Sequence, residues 1–300
     1  MQNLESILIF ITVADMGSFT RAADSLGIQK GRASTAVRNL EDNLGVRLLH
    51  RTTRRVQLTE DGRAFHARAR DLLAEVDDLH TMFAGDVALR GRLRVDLPTE
   101  VARTTVVPAL PDFLAAHPEL ELEMSSTDRH VDLVQEGFDC VLRLGPIRDE
   151  TLIARPLGKL RMVNAASPAY LARQGVPRSL NDLQRQDHRT IHFSTMLGTR
   201  PHGWEYPDGN GYATLQLPGA LHVNSAQTYE AAALAGLGLI QAPLMGIGRY
   251  LESGALVEVI PDLRRRALDV SLVVAHRRNL SRRVRAFMKW IEDVLTPYLE

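Results

Sequence analysis

Three hundred residues carry 36 Lys+Arg against 36 Asp+Glu, with 45% hydrophobic and 24% charged residues, a globular composition of roughly two domains that excludes fibrous repeats, wholesale disorder and a chain that is polycationic throughout. The single cysteine, Cys140, rules out an intramolecular disulfide and a multi-thiolate metal site. No apolar run approaches the roughly 18–20 residues of a membrane span, and the start Met1 to Glu5 lacks the basic region of a signal peptide, so a cytoplasmic location is the expectation.

Leu4, Ile7, Leu8, Ile11 and Ala14 recur at helical spacing, which predicts a first helix ending near Gly17. Ser18 is placed to cap a second helix, with Phe19, Ala22, Ala23 and Leu26 as its buried face and Gly27 as its left-handed stop. A third segment puts Ala33, Val37, Leu40 and Leu44 on one face and ends at Gly45. Its other face holds Gln29, Lys30, Arg32, Ser34, Thr35 and Arg38, with no acid before Glu41. A short helix, a glycine turn and a helix with a polar, cationic, hydroxyl-bearing N-terminal half supply what major-groove reading requires. A merely solvated face is the alternative.

The charge pattern supports the first reading. Residues 1–70 hold eleven Lys+Arg against seven acids, whereas residues 71–90 hold one cation against five acids. The neutral total therefore averages a basic head and an acidic stretch after it. Arginine outnumbers lysine 33 to 3 across the chain, so no single arginine is strong evidence alone.

Next, His50-Arg51-Thr52-Thr53-Arg54-Arg55 lies between Leu48-Leu49 and the alternating Val56-Gln57-Leu58. This predicts a two-stranded wing whose basic, threonine-rich tip can meet phosphates or the minor groove. Thr59 can cap the helix that follows, with Glu60 and Asp61 in its first turn. Phe65, Ala69, Leu72, Val76, Leu79 and Phe83 then step by four and three, a heptad seam on a helix of about 37 Å counted from Thr59 to Phe83. Gly85 and Gly91 set that helix apart from the rest, so the seam is assigned to dimerisation rather than to packing within the chain. Two heads held by a dimer call for an interrupted inverted repeat in double-stranded DNA.

From Arg92 onward strands alternate with helices. Leu93–Leu97, Leu120–Met124, Cys140–Leu144, Leu221–Val223 and Val270–Val274 read as strands, and Val106–Ala116 and Gln227–Ala235 as helices, an α/β pattern. No HExxH, Walker A, GxSxG or complete GxGxxG motif is present, and Gly236-Leu237-Gly238 stops short of the last. His188 and His192 have metal spacing only for a helix, and Thr190-Ile191-His192-Phe193 reads as a strand that splays them. Cys140 reads as a small core residue, and the clusters Arg264 to Arg266 and Arg282, Arg283, Arg285 as solvated faces. Neither catalysis nor a metal or cofactor is expected.

The order of pieces resembles a known family. Phe10-x-x-Val13-Ala14-x-x-Gly17-Ser18-Phe19-Thr20-x-Ala22-Ala23-x-x-Leu26-Gly27, Leu40-Glu41-x-x-Leu44-Gly45-Val46-Arg47-Leu48-Leu49-x-Arg51-Thr52-Thr53-Arg54 and Leu58-Thr59-x-x-Gly62 are similar to the winged helix-turn-helix of LysR-type transcriptional regulators. The resemblance continues more loosely through Phe113-x-x-x-His117-Pro118, Asp132-Leu133-Val134-x-Glu136-Gly137-Phe138-Asp139, Ser167-Pro168-Ala169-Tyr170-Leu171 and Ala232-x-x-Ala235-Gly236-x-Gly238. Two positions depart from it. Gln29 stands where many members have serine and Thr35 where many have arginine, so phosphate contacts carry over and base identity does not.

The resemblance implies a winged helix-turn-helix over residues 1–58, a linker and dimerisation helix over 59–90, and an effector-binding domain over 91–300 of the type II periplasmic-binding-protein kind. In that domain, 91–162 with 268–300 form one subdomain and 163–267 the other, with crossings near Met162-Val163 and Ala267-Leu268. DNA contacts fall to Ser18, Thr20, Gln29, Lys30, Arg32, Ser34, Thr35, Arg38, Arg51, Thr52, Thr53, Arg54 and Arg55. A cleft between the subdomains is lined by strand ends, namely Pro98, Thr99 and Glu100, Ser126 and Thr127, Arg143 and Gly145, Asn224 and Ser225, and Gln241. Hydroxyls and amides there suit a carboxylate or carbonyl of a small-molecule effector. The run to Pro108 fits either Thr99 or Glu100 at the family's hydroxyl position. The implied function is a promoter-binding regulator modulated by that effector, a dimer or dimer of dimers, with RNA polymerase as a further partner. A solute-binding receptor using the same cleft and a metabolic α/β enzyme are the competing classes.

Overall fold

In the computed structural model, residues 2–51, 56–80, 88–133, 135–147, 152–185, 187–198, 202–219, 221–274 and 280–300 are described. The chain divides into two units, Met1–Arg92 with Glu119–Glu121, and Leu93–Pro118 with Leu122–Glu300.

The first unit opens with α1 (Gln2–Met16), α2 (Phe19–Leu26) and α3 (Lys30–Leu44). Gly17, Gly27 and Gly45 stop them in turn, each at a φ between 60° and 70° that side chains with a Cβ rarely adopt. The Ser18 hydroxyl accepts the Arg21 N–H and so starts α2. Val13, Ala22, Ala33, Val37 and Leu40 bring the three helices together. The apolar face of α1 differs from the spacing-based one. Ile9, Phe10, Ile11 and Val13 are buried, while Leu4 and Leu8 are exposed. The run Ile7 to Ile11 is apolar at every position, so spacing alone does not choose a side, and the choice falls to the side that seats Phe10 edge-on to Phe65 at 5.4 Å. Leu44, expected in the core, is exposed because the last turn of α3 runs past Leu40.

β1 (Leu49–Arg51) and β2 (Val56–Leu58) pair antiparallel, and α4 (Glu60–His80) follows. Thr59 fixes the joint: its hydroxyl donates to the Arg47 carbonyl at 2.7 Å and accepts the Gly62 N–H at 2.8 Å, while its N–H reaches the Leu48 carbonyl. A Cβ on Gly62 would lie 1.9 Å from that same carbonyl oxygen, so only glycine lets α4 approach the wing.

The second unit begins within β3 (Arg90–Leu97), which leads to a continuous helical run made of α5 (Thr99–Val101), a π turn (Ala102–Val106) and α6 (Val107–Ala116). The sequence pattern placed this helix only from Val106. Pro108 has no N–H for the Thr104 carbonyl, and the register widens there, with the Val107 N–H reaching Ala102. Then come β4 (Glu119–Ser126), β5 (Cys140–Leu144), β6 (Ile153–Leu160), β7 (Met162–Ala166), α7 (Pro168–Gln174) and α8 (Leu180–Arg185). β8 (His192–Phe193), β9 (Trp204–Asp208), β10 (Gly211–Leu215), β11 (His222–Val223) and α9 (Ala226–Leu234) follow. The chain ends through β12 (Ile240–Pro243), α10 (Leu244–Glu252), β13 (Val257–Glu258), β14 (Leu268–Val274) and α11 (Arg282–Leu295).

These strands build two main sheets, one in the order β4-β3-β5-β14-β6 and one in the order β12-β7-β13. The chain leaves the first at Arg161, one residue before the expected crossing, and returns with Leu268. β14 lies inside the larger sheet with Val270 to Val274 all buried, which explains an apolar run in place of alternation. Cys140 is fully buried on β5, and burial pushes its thiol up to about 12, far from a reactive thiolate. His188 is buried against the Tyr170 hydroxyl, whereas His192 on β8 faces His222 on β11. The arginine clusters are less solvated than expected. Arg264 pairs with Glu258, Arg265 with Glu205, and Arg283 is buried on the inner side of α11.

Candidate functional site

The exposed face of α3 is the first candidate surface. Gln29 precedes the helix in extended conformation, and its side chain makes no capping bond. Gln29, Lys30, Arg32, Thr35 and Arg38 are exposed and Ser34 half-buried, opposite the buried Ala33, Val37 and Leu40. Burying that apolar edge turns the polar edge outward, since residues three and four apart share a face. Lys30 and Arg38 have no ion-pair partner among the described residues. Arg32 does: its guanidinium lies 2.5 Å from the Glu5 carboxylate, an acid that α1 brings to a face without acids of its own. Both groups are well exposed, so this is a screened surface pair that an incoming phosphate can replace. Ser18 serves as the α2 cap, and Thr20 is exposed beside it.

Glu41, in the last turns of α3, positions the wing. One carboxylate oxygen accepts the N–H groups of Leu48 (2.9 Å) and Leu49 (3.1 Å), so the strand leaves α3 at a fixed angle. Thr52, Thr53, Arg54 and Arg55 lie outside the described residues, and of Arg51 only the backbone, paired with Val56, is described.

The heptad seam of α4 divides. Phe65 and Ala69 belong to the core of the head, packed with Phe10, and not to a surface left for a second copy. A heptad reports an apolar stripe and not its partner, and in the first half of α4 the partner is α1. Leu72 is exposed and Val76 partly so, whereas the Leu79 side chain and Phe83 lie outside the described residues.

In the second unit the helical run after β3 meets α9 and α10 through charges. Glu100, at the start of the helical run, is buried, forms an ion pair with Arg103, and lies 3.3 Å from Arg249 Nη2 on α10. The same nitrogen is 3.5 Å from Glu230 on α9, also buried, and 2.8 Å from the Tyr250 hydroxyl. Asp128, just past β4, accepts the Thr99 N–H on one oxygen and the Ala226 N–H on the other. Burial first, and then the charge of Glu100, pushes the Glu230 carboxyl up to about 7 against the pull of Arg249 and Arg103.

Of the cleft residues named from sequence, Pro98, Thr99, Glu100 and Ser225 gather at this junction. Ser126 and Asn224 are exposed strand ends. Gly145 closes β5 at φ 88°, its N–H on the Asp269 carbonyl. Arg143, Thr127 and Gln241 have partners within the chain. Arg143 lies 3.3 Å from Asp96 and donates to the Val131 carbonyl, and the Thr127 hydroxyl also serves Asp96, because that fully buried carboxylate must be paired. Burial raises the Asp96 carboxyl and lowers the Arg143 guanidinium. Gln241 is buried, its amide nitrogen on Asn164 and the Glu205 carbonyl and its oxygen on the Glu205 N–H. Sequence reasoning missed Asp128, Glu230, Arg103 and Arg249. A separate open cavity of about 540 Å³, lined by Arg161, Leu244, Met245, Arg249 and Tyr298 among others, shares only Arg249 with this junction.

Comparison with known proteins gives the following. Residues 4–63 match a family model described as bacterial regulatory helix-turn-helix protein, lysR family, and residues 87–296 match one described as LysR substrate binding domain. The chain is 44% identical to the HTH-type transcriptional regulator YhjC of Escherichia coli K12 over the full length of both. It is 37% identical to an HTH-type transcriptional repressor of Pseudomonas aeruginosa, covering 98% of this chain and 92% of that one. Among solved structures it resembles CrgA, a LysR-type transcriptional regulator from Neisseria meningitidis, with TM-score 0.61 and 27% identity over 96% of this chain and 97% of the other.

Proposed function

This chain belongs to the LysR family of transcriptional regulators, with a helix-turn-helix DNA-binding domain and an effector-binding domain, and from that premise we propose how its residues divide the work. Gln29, Lys30, Arg32, Ser34, Thr35 and Arg38 on α3 enter the major groove, while Ser18, Thr20 and the wing residues Arg51 to Arg55 hold the flanking backbone. Residues 1–58 form the reading head and 59–90 the linker. Two chains pair through the outer stripe of that linker, Leu72, Val76, Leu79 and Phe83, and place two heads on an interrupted inverted repeat. Pairs of such dimers bind a promoter in the cytoplasm, where RNA polymerase is the further partner.

Residues 91–300 respond to a small molecule bound between the subdomains 91–162 with 268–300 and 163–267. The molecule acts by favouring one arrangement of the subdomains over another, and only its difference in affinity for the two shifts the equilibrium. The chain works by binding rather than by catalysis.

The observation that carries the DNA reading is the outward face of α3, where Lys30 and Arg38 stand without an ion-pair partner among the described residues. A gel-shift titration of the full chain with its own upstream intergenic DNA tests it. Binding at low salt that weakens steeply as salt rises is the expected result; no shift with that or any genomic fragment at low salt overturns it.

A further inference from the structure

Asp128 stands just beyond the end of β4, and its carboxylate is shared between the two subdomains. One oxygen accepts the Thr99 N–H at 2.9 Å and the other the Ala226 N–H at 2.7 Å. Thr99 opens the continuous helical run that ends at Ala116, and Ala226 opens α9. Both amides are therefore among the donors that a helix start leaves without an intrahelical partner, and both helices turn the positive end of their dipole toward the same point. Two such ends face each other favourably only with an anion between them, and the chain supplies that anion itself. A second crossing lies beside the first, where Arg249 spans Glu100 of one subdomain and Glu230 of the other. The charged groups at the junction are thus three carboxylates, Asp128, Glu100 and Glu230, and two guanidiniums, Arg103 and Arg249.

We infer that Asp128 is an intramolecular ligand, which holds the subdomains together without an effector and denies both helix-start amides to an external carboxylate. An acid entering here has to displace a carboxylate that is already tethered to both amides. A neutral or cationic effector does not meet that obstacle. The cleft therefore selects against simple carboxylates, which reverses the preference that hydroxyl and amide strand ends suggest. This rests on the reading of the cleft as the effector site, so the test uses a readout that needs neither DNA nor an effector.

Hydrogen exchange of the full chain, followed by mass spectrometry on the peptides that contain Thr99 and Ala226, compares the wild type with Asp128→Ala and Asp128→Asn. In Asp128→Ala both peptides exchange faster by about tenfold or more, since two charge-assisted bonds are lost. About 50 mM sodium formate, a carboxylate small enough for the vacated space, restores their protection, sodium chloride at equal ionic strength does not, and the wild type responds to neither. Asp128→Asn keeps the shape but has a single acceptor oxygen, so one of the two peptides loses protection. The inference is overturned by wild-type protection in Asp128→Ala, by formate and chloride acting alike, or by equal gains from formate in wild type and variant. Should Asp128→Ala not fold, undiminished protection of both peptides in Asp128→Asn overturns it equally. A failed gel shift alongside formate rescue would discard the regulatory reading and leave the tether standing.

Discussion

Replacing Glu230 by glutamine should make the protein more stable at alkaline pH, although it removes one partner of Arg249. Glu230 is 6% exposed and packs over Gly246, where a Cβ would lie 3.1 Å from its carboxylate oxygen and 3.2 Å from Glu100 Cγ. Burial, and next the neighbouring charge of Glu100, raises its carboxyl from the ordinary 4.5 to about 7, and this net value already includes the attraction of Arg249 and Arg103 and the repulsion of Asp128. The folded value lies above the unfolded one. Between pH 4.5 and about 7 the native state keeps a proton that the unfolded chain has released, so stability falls as pH rises. The slope is about 1.4 kcal/mol per pH unit, which accumulates to about 3 kcal/mol above pH 7.

Glutamine has the shape of the protonated acid and no charge to desolvate. Urea unfolding of the full chain, wild type against Glu230→Gln at pH 5, 6, 7 and 8, reads the difference directly. The variant should lead by a little under about 1 kcal/mol at pH 5 and by progressively more as pH rises, reaching about 3 kcal/mol at pH 8. A variant less stable than wild type at pH 8 would refute the reasoning, since ionised Glu230 would then gain more from Arg249 than burial takes away.

Other changes separate the roles assigned above. Arg38→Ala should weaken binding to the upstream DNA by about 1–3 kcal/mol and leave the head folded, and unchanged affinity in a gel shift would remove the outward face of α3 from the interface. Phe65→Ala should cost about 2–4 kcal/mol of stability, because Phe65, half-buried, packs against the head's core. Leu72→Glu, about two turns further along α4 and exposed, should leave the melting temperature nearly unchanged and yield monomers in analytical ultracentrifugation; a dimer retained at micromolar concentration counts against the outer stripe. Gly62→Ala should destabilise the head by about 1–3 kcal/mol in thermal unfolding, since its Cβ would meet the Leu48 carbonyl oxygen at 1.9 Å, and a neutral outcome would mean that α4 pivots freely on the wing.

The head was legible because its signals are local. Ser18, Gly27, Gly45 and Thr59, the last through its bond from Gly62, each mark a helix end within a few residues of themselves, and the helix ends fall where these residues put them. Orientation was not local. The apolar run in α1 offered two faces, and the heptad in α4 did not name its partner; both were settled by Phe10 meeting Phe65 across the fold. Arg32 looked unopposed until α1 brought Glu5, 27 residues away, beside it. In the α/β unit, β6 escaped notice because Pro156 and Gly158 interrupt alternation, which an edge strand tolerates. The hairpin of β9 and β10 carries a plain turn signal, Asp208-Gly209-Asn210-Gly211, with Gly209 at φ 56°, and was there to be read.

The cleft shows why strand ends alone mislead. They mark where a ligand can reach, but buried charges nearby have the prior claim on any side chain there. Asp96 is fully buried on β3, and both Arg143 and Thr127 bond to it. The residues that meet at this junction come from helices and a turn, where acids and arginines read as solvated faces. Glu100 and Arg249 are 149 positions apart, and Asp128 and Ala226 are 98. No local pattern marks such a pair, yet their chemistry follows once they meet, because a carboxylate held by two helix starts and an acid raised to about 7 both arise from removing charge from water. A ligand reaching this junction would contend first with the chain's own ions, and its affinity would be set as much by what it displaces as by what it touches.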